Sequence, residues 1–593
     1  MTHAATKTEP ESQSSGLAKM SHRQVLEALS GLLLGMFVSI LAGTVVSTSL
    51  PKIIADLKGD QTAYTWVVVA TLLATTVTTP IWGKLADLFN RKLLIQLSLA
   101  IFVIGSALAG FSQDTSMLIG FRVLQGVGAG GLTALSQVIM ADIISPRERG
   151  KYMGVFGAIM AVGTVGGPLI GGVLTDSVGW RWNFYIGVPF AILAIILLQT
   201  TLHLPKRPKQ KVSIDYLGAV LIAAGVSILL IWVSLAGQKG QFEWASATSF
   251  WMVAAAAVAL IAAVLVELKV KEPVIPLRLF KNRTFTFSAI ASISVGVAMF
   301  GTSVFLGQYM QLARGATPTQ SGLLTLPMIV GLLVSSVVIG QIISRTGKWK
   351  SYMVVGSILL IAGLVLMGTI DYDTNYVVLS IYMFVLGAGV GMVMQNLVLI
   401  VQNVVAPAEM GAASAAVTFF RSLGGTAGVS VLGSVLGTQV ANHLADKSQE
   451  LTSAIMKLGP AGAALAKSLQ SGTIPNVSSL PQSVRVIVES AYGQSVAFVF
   501  LIAVPLAVIT LVAVCLLPNN KLGTKTTIER QHDEDAATSV PRDGAFATAA
   551  VELIDDADAL IGGQSLEAVD AIAHAPRAAH DGSDAASGIR SDQ

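Results

Sequence analysis

The chain is 593 residues long, 53% hydrophobic and 12% charged, with mean hydropathy +0.69. This excludes an ordinary soluble enzyme or binding module of that size, and a net charge of +4 is too small to point to nucleic acid. A single cysteine, Cys515, excludes an internal disulfide, and with 7 histidines a metal site is not expected.

Residues 1–28 are polar, and their start has no short apolar core with a cleavage site, so no signal peptide is expected. Apolar runs long enough to cross about 30 Å of hydrocarbon as helices then recur along the chain. Their Leu/Val/Ile/Ala/Gly composition fits helices rather than barrel strands. Fourteen spans are predicted. The first six are Leu29–Leu50, Thr65–Ala86, Leu93–Phe111, Met117–Met140, Tyr152–Leu174 and Asn183–Leu202. Tyr216–Leu235 and Phe250–Leu268 follow. The last six are Thr286–Leu312, Gly322–Ile343, Tyr352–Thr369, Tyr376–Val401, Ala413–Leu436 and Val496–Leu517.

Alternating the connections between two sides sorts the charges. One side receives Lys84, Arg91, Lys92, Arg147, Arg149, Lys269, Lys271, Arg278, Lys281, Arg345, Lys348 and Lys350 among others. Short loops on the other side hold Lys52, Lys58, Arg181, Lys239 and Arg314. The positive-inside rule makes the basic side cytoplasmic, with both termini inside a cell membrane. Residues 439–494 form an outward loop containing an amphipathic segment, and the Ala-, Asp- and Ser-rich tail 518–593 is expected to be disordered.

The loop after the second span reads GKLADLFNRK. Gly83 allows close helix approach, and Asp87 can accept hydrogen bonds from a helix N-terminus or pair with Arg91, beside Lys92. GQIISRTGKWK after the tenth span repeats the glycine, the arginine and the basic end at Gly340, Arg345 and Gly347. If spans one to six and nine to fourteen are two halves, both loops follow the second span of their half. That placement points to a two-lobed secondary transporter with its site between the lobes, and the seventh and eighth spans as an insertion.

The fourth span carries LIGFRVLQGVGAGG. Arg122 sits roughly 9 Å from the outer end, deep enough that it should face the protein interior or a water-filled cavity. Gln125 follows on the same face. The fifth span contains GTVGGPLIGG, in which Gly163, Gly167 and Gly171 line one face for backbone-to-backbone packing. Pro168 beside them permits a bend. Such a contact suits a place where two bundles seal one side. Arg421 is a second intramembrane cation. Thr44, Ser47, Gln125, Gln308, Gln395 and Arg421 are the candidate polar lining of a substrate pocket.

Together these residues resemble the major facilitator superfamily, most closely its fourteen-span drug:proton antiporter branch. The resemblance implies an all-α membrane fold with two six-helix lobes, 29–202 and 284–517, and a linker, 203–283, carrying two extra helices. It makes Gly83–Lys92 a gating motif, with Asn90 where glycine is usual. It assigns Arg122 to proton coupling and makes Gly163, Gly167, Pro168, Gly171 and Gly172 an antiporter motif. The carrier stays open: Asp142 or Asp87 would have to serve, or protonation must occur on the substrate. The first span departs from the family pattern: Ala42 stands where an aspartate is usual, and Ser47 where an asparagine is usual. The expected function is proton-driven export of hydrophobic or amphipathic compounds, with no cofactor beyond the gradient. The alternative is a membrane sensor or assembly protein on the same scaffold. An enzyme is disfavoured, since no phosphate-binding loop, nucleophile elbow or metal cluster is present in the sequence.

Overall fold

The computed structural model describes residues 22–58, 61–149, parts of 152–179, and then 180–202, 215–237, 241–456, 480–527 and 529–531. Among these residues thirteen helices are long and apolar enough to cross a membrane, and none forms a strand. The first half contains α1 (His22–Asp56), α2 (Gln61–Leu88), α3 (Arg91–Gly110), α4 (Thr115–Ile143) and α5 (Trp182–Thr201). The inserted pair is α6 (Tyr216–Leu235) and α7 (Ala247–Glu267). The second half contains α8 (Arg283–Gln308), α9 (Leu326–Thr346), α10 (Lys350–Met367), α11 (Tyr376–Val404) and α12 (Met410–Asp446). The short α13 (Ser448–Met456) and the spanning α14 (Gln482–Leu516) complete it. The predicted fifth span lies largely outside the described residues; those described between 152 and 177 are helical.

Local chemistry sets the helix starts. Asn90 caps α3, its side chain accepting from Lys92 N at 2.9 Å. This gives a reason for asparagine at the position where the family resemblance puts glycine: an Asx cap fixes the turn between α2 and α3. Asp114 caps α4 from Met117 N at 2.8 Å, and Asn282 caps α8 from Thr284 N at 2.9 Å. At the other end of α9, Gly347 takes the left-handed conformation, φ +70°, and stops the helix.

Two boundaries differ from the expectation by ten residues or more. α12 continues past Leu436 to Asp446, and α14 begins at Gln482, well before Val496. Hydropathy marks the width of the apolar slab, not the end of the helix. The overhangs are held by packing of Val484 and Val488 against Ala454 of α13, with Leu444 alongside. The outward loop is thus shorter than 439–494 at both ends. The start of the tail differs as well: residues 518–527 and 529–530 lie against the helices, with Leu522 and Thr527 buried, while 532–593 lie outside the described residues. Backbone hydrogen bonding, not composition, holds that segment.

The halves meet where α2 packs along α12. The inserted pair packs on itself and on α12, where the Ser234 and Ser430 hydroxyls are 3.1 Å apart. Its outer face exposes Phe250 and Trp251, as a lipid-facing surface would.

Candidate functional site

The end of α2 meets the start of α12 without side chains between them. A Cβ on Gly83 would collide with Ala415 Cβ and Gly411 O, and one on Gly411 would collide with Gly83 O. One turn further, Asp87 Oδ1 accepts from Gly411 N at 2.7 Å and Oδ2 from Ala412 N at 2.8 Å. A carboxylate of the first half therefore satisfies the first free N–H groups of a second-half helix and complements its dipole.

Asp87 is held in place by Arg91, whose Nη2 lies 3.3 Å from Oδ1. The same guanidinium pairs with Asp142 through Nη1 and donates from Nε to Ala86 O at 2.9 Å. Arg91 is 3% exposed and Asp142 4%, so the pair is shielded from water and more costly to break than a surface pair. Lys92 Nζ reaches Gln199 O at 2.7 Å, tying α3 to α5.

Beside this cluster the loop after α4 crosses the seam. Arg147 donates to Ser344 O at 3.1 Å and Arg345 O at 3.0 Å. Arg149 donates to the Gln402 side-chain oxygen and to Ile144 O at 3.2 Å. Burial lowers the Arg149 pKa to about 9, so it is still a cation at neutral pH. Gln402 completes the set by donating to Ser414 Oγ at 2.8 Å and Gln137 O at 3.3 Å. The linker adds two ion pairs, Lys84–Glu272 at 2.5 Å to the first half and Arg278–Glu409 to the second. Behind the seal is a small cavity of about 20 Å³, large enough for a water molecule, with mostly apolar walls into which Gln137, Arg149, Ser336, Gln395 and Gln402 also reach, beside Gly340.

The hydrogen bonds described between the halves thus gather at the basic-loop end. From sequence, Arg147 and Arg149 are read only as basic-side charges, and Gln402 and Glu409 are not singled out. Gln402 carried a usable signal, an uncharged polar residue inside an apolar run. The second-half loop repeats the first-half loop in sequence but not in role. Arg345 contributes its carbonyl while its side chain is exposed, and Gly347 ends a helix.

The other candidates are dispersed. Arg122 is buried, with Nη1 on Gln125 Oε1 at 2.6 Å and Nε near Val67 O at 3.3 Å. Asp142 lies about 30 Å further along α4 at roughly 1.5 Å per residue, so the two do not form one proton-transfer pair. Thr44 Oγ1 packs on the fifth-span segment, 3.0 Å from Gly163 O. Gln308 ends α8 at the outer side, whereas Gln395 lines the cavity under the seal. Arg421 is buried in α12, and its Nη1 has no hydrogen-bond partner among the described residues. Pro168 and the Ser47 side chain lie outside the described residues, and Gly172 has open space around it.

The fifth-span glycines correct one expectation. A Cβ on Gly167 would overlap Thr44, and one on Gly171 would lie 2.9 Å from Val45 O. Their face therefore packs on α1 of the same half, not on the opposite half. Backbone proximity within a bundle is what requires glycine there.

Comparison with known proteins agrees with this arrangement. The Major Facilitator Superfamily profile matches residues 32–429. The chain is 36% identical over 429 residues to "Multidrug transporter protein MdtP" of Bacillus subtilis, covering 72% of this chain and 78% of that one. It is 33% identical over 506 residues to "Multidrug resistance protein 3" of the same species, covering 84% and 96%. The solved structure of the proton:xylose symporter XylE superposes with TM-score 0.53 at 14% identity, over 86% of this chain and 99% of that one.

Proposed function

Because the chain belongs to the Major Facilitator Superfamily, whose members are multi-pass membrane transporters, we propose that it exports hydrophobic or amphipathic compounds by alternating access, driven by proton antiport. The basic-loop side is cytoplasmic in this reading, and the structure is the state sealed on that side. The observation that supports it most directly is the Asp87 cap on α12. It is a cross-half contact made of a carboxylate and two backbone N–H groups, which can be broken and remade without rearranging a hydrophobic core. The multidrug names of the relatives support the export direction and the class of compound.

The interior charge narrows the substrates. Arg122 and Arg421 are buried in spans. Among the described residues the span-associated acids lie toward helix ends: Asp87, Asp142 and Glu267 at the basic-loop end, and Glu489 paired with Arg485 near the other. A fixed cation at mid-depth would lack a compensating group. Neutral and zwitterionic amphiphiles fit better.

The test is transport in liposomes containing this protein alone. An imposed proton gradient should drive accumulation of a neutral fluorescent amphiphile, and a protonophore should abolish it. Binding without gradient-dependent movement would favour the sensor alternative.

A further inference from the structure

The basic-loop face carries an interaction surface that spans both halves, and its occupants are the chain's own segment 518–527 and Arg530. Gly523 shows the arrangement in one residue: its carbonyl accepts from Arg147 N of the first half at 3.3 Å, and its N–H donates to Asn403 Oδ1 of the second half at 2.7 Å. On one side of it, Trp349 Nε1 donates to Asn520 O at 2.7 Å, and Asn403 Nδ2 to Lys521 O at 3.0 Å. On the other side, Thr527 Oγ1 donates to Ala141 O at 2.9 Å. Arg530 donates to Val405 O at 2.6 Å and to Gln402 O at 3.2 Å. Leu522 and Thr527 are buried, so water competes poorly for these contacts.

We infer that residues 518–527 form a strap that holds the basic-loop side shut and must leave the first half before that side can open. The segment is covalently continuous with α14, and Trp349, Asn403 and Val405 all belong to the second half. A rigid-body rotation of the halves leaves those contacts intact. The contacts to Arg147 and Ala141 cross the seam and cannot survive it. Closure is therefore stabilised by a segment outside the helical lobes, and whatever pulls on the tail alters the balance between the two states. The consequence for transport rests on the alternating-access reading; the strap itself is tested without transport.

The test uses a cysteine at Ser336, which lines the cavity behind the seal, as Ser336→Cys, with Cys515→Ser to remove the native thiol. Modification by a membrane-impermeant maleimide is timed in inverted membrane vesicles. Four proteins are compared: full length, a chain ending at Arg530, a chain ending at Leu517, and full-length Thr527→Val. The chain ending at Arg530 should react like full length. Thr527→Val should react about threefold to tenfold faster, the factor that loss of one net hydrogen bond represents, and the chain ending at Leu517, which loses both seam contacts, should react at least as fast as Thr527→Val. Thr527→Val preserves volume and is read even if the shorter chain folds poorly. Equal rates for full length and Thr527→Val, with the Leu517 chain either equal or not recovered, would overturn the strap. If labelling changes as described while no protein moves substrate in liposomes, the strap stands and the transport reading falls.

Discussion

Asp87 of the first half accepts the backbone N–H of Gly411 in the second half at 2.7 Å, so one carboxylate links two bundles at the start of a helix. Asparagine at this position keeps the shape and one acceptor but loses the charge that complements the helix dipole, about 1 kcal/mol or more in a buried site. Asp87→Asn should therefore lower transport roughly fivefold or more at unchanged amounts of folded protein. Transport assayed against detergent-extracted, monodisperse protein checks this, and a normal rate would remove Asp87 from the gate.

The contact between Gly167 and Thr44 predicts that even the smallest side chain is harmful. Gly167→Ala should cost about 1–3 kcal/mol by overpacking, and Gly167→Leu more. Because the collision is with Thr44 Oγ1 and with Thr44 Cβ, the latter 2.5 Å away, Thr44→Gly should restore much of the folded yield of Gly167→Ala and little of Gly167→Leu, whereas Thr44→Ala, which keeps Cβ, should restore little of either. Thermal stability in detergent of the Gly167 variants, each with and without the Thr44 substitutions, measures this. Absence of rescue would mean that other atoms set the spacing.

Arg421 predicts charge selectivity. A guanidinium without a hydrogen-bond partner on Nη1 repels a fixed cation. Arg421→Gln should raise export of a quaternary ammonium dye relative to a neutral compound by about tenfold or less. Ala42→Asp is a poor way to the same end: Ala42 is 5% exposed inside the apolar core of the first half, and a carboxylate there should reduce folded protein. A dye-to-neutral export ratio unchanged in Arg421→Gln would place that residue outside the substrate path.

The two-sided arrangement predicts where reagents reach. With Cys515 replaced, cysteines at Ser448 and Ser539 should react with an impermeant maleimide from opposite faces of the membrane. Reaction from the same face would overturn the fourteen-span reading and the orientation built on it.

The class and the two-half plan were legible because each depends on a local quantity, the apolar length of a span or a loop that recurs. Asp87 and Arg91 were legible for the same reason, since their pairing is one helical turn. The seal across the halves was not. Arg149 and Gln402 are 253 positions apart in the chain, and neither has a neighbour in sequence that suggests the other. Thr44, Gln308 and Gln395 show the opposite difficulty: each is a polar residue in an apolar run, but Gln308 ends α8 at the outer side and Gln395 lines the cavity under the seal, and composition does not register depth. The folded segment 518–527 was hidden because composition reports the mean tendency of a tail, while docking depends on a few backbone groups meeting fixed partners.

The seal also has an evolutionary asymmetry. Asp87 and Arg147 act through their side chains, but their partners across the seam are Gly411 N, Ala412 N, Ser344 O and Arg345 O, all main-chain atoms. Mutation can change the second-half side chains at Ser344 and Arg345 without removing what the first half recognises. The two glycines facing each other at the seam, and Gln402, whose side chain accepts from Arg149 and donates to Gln137 O, are the exceptions. Selection should therefore bear on residue identity in the first-half loops and mainly on backbone position in the second, so two sequences that arose as repeats can drift apart while the closure they form stays the same.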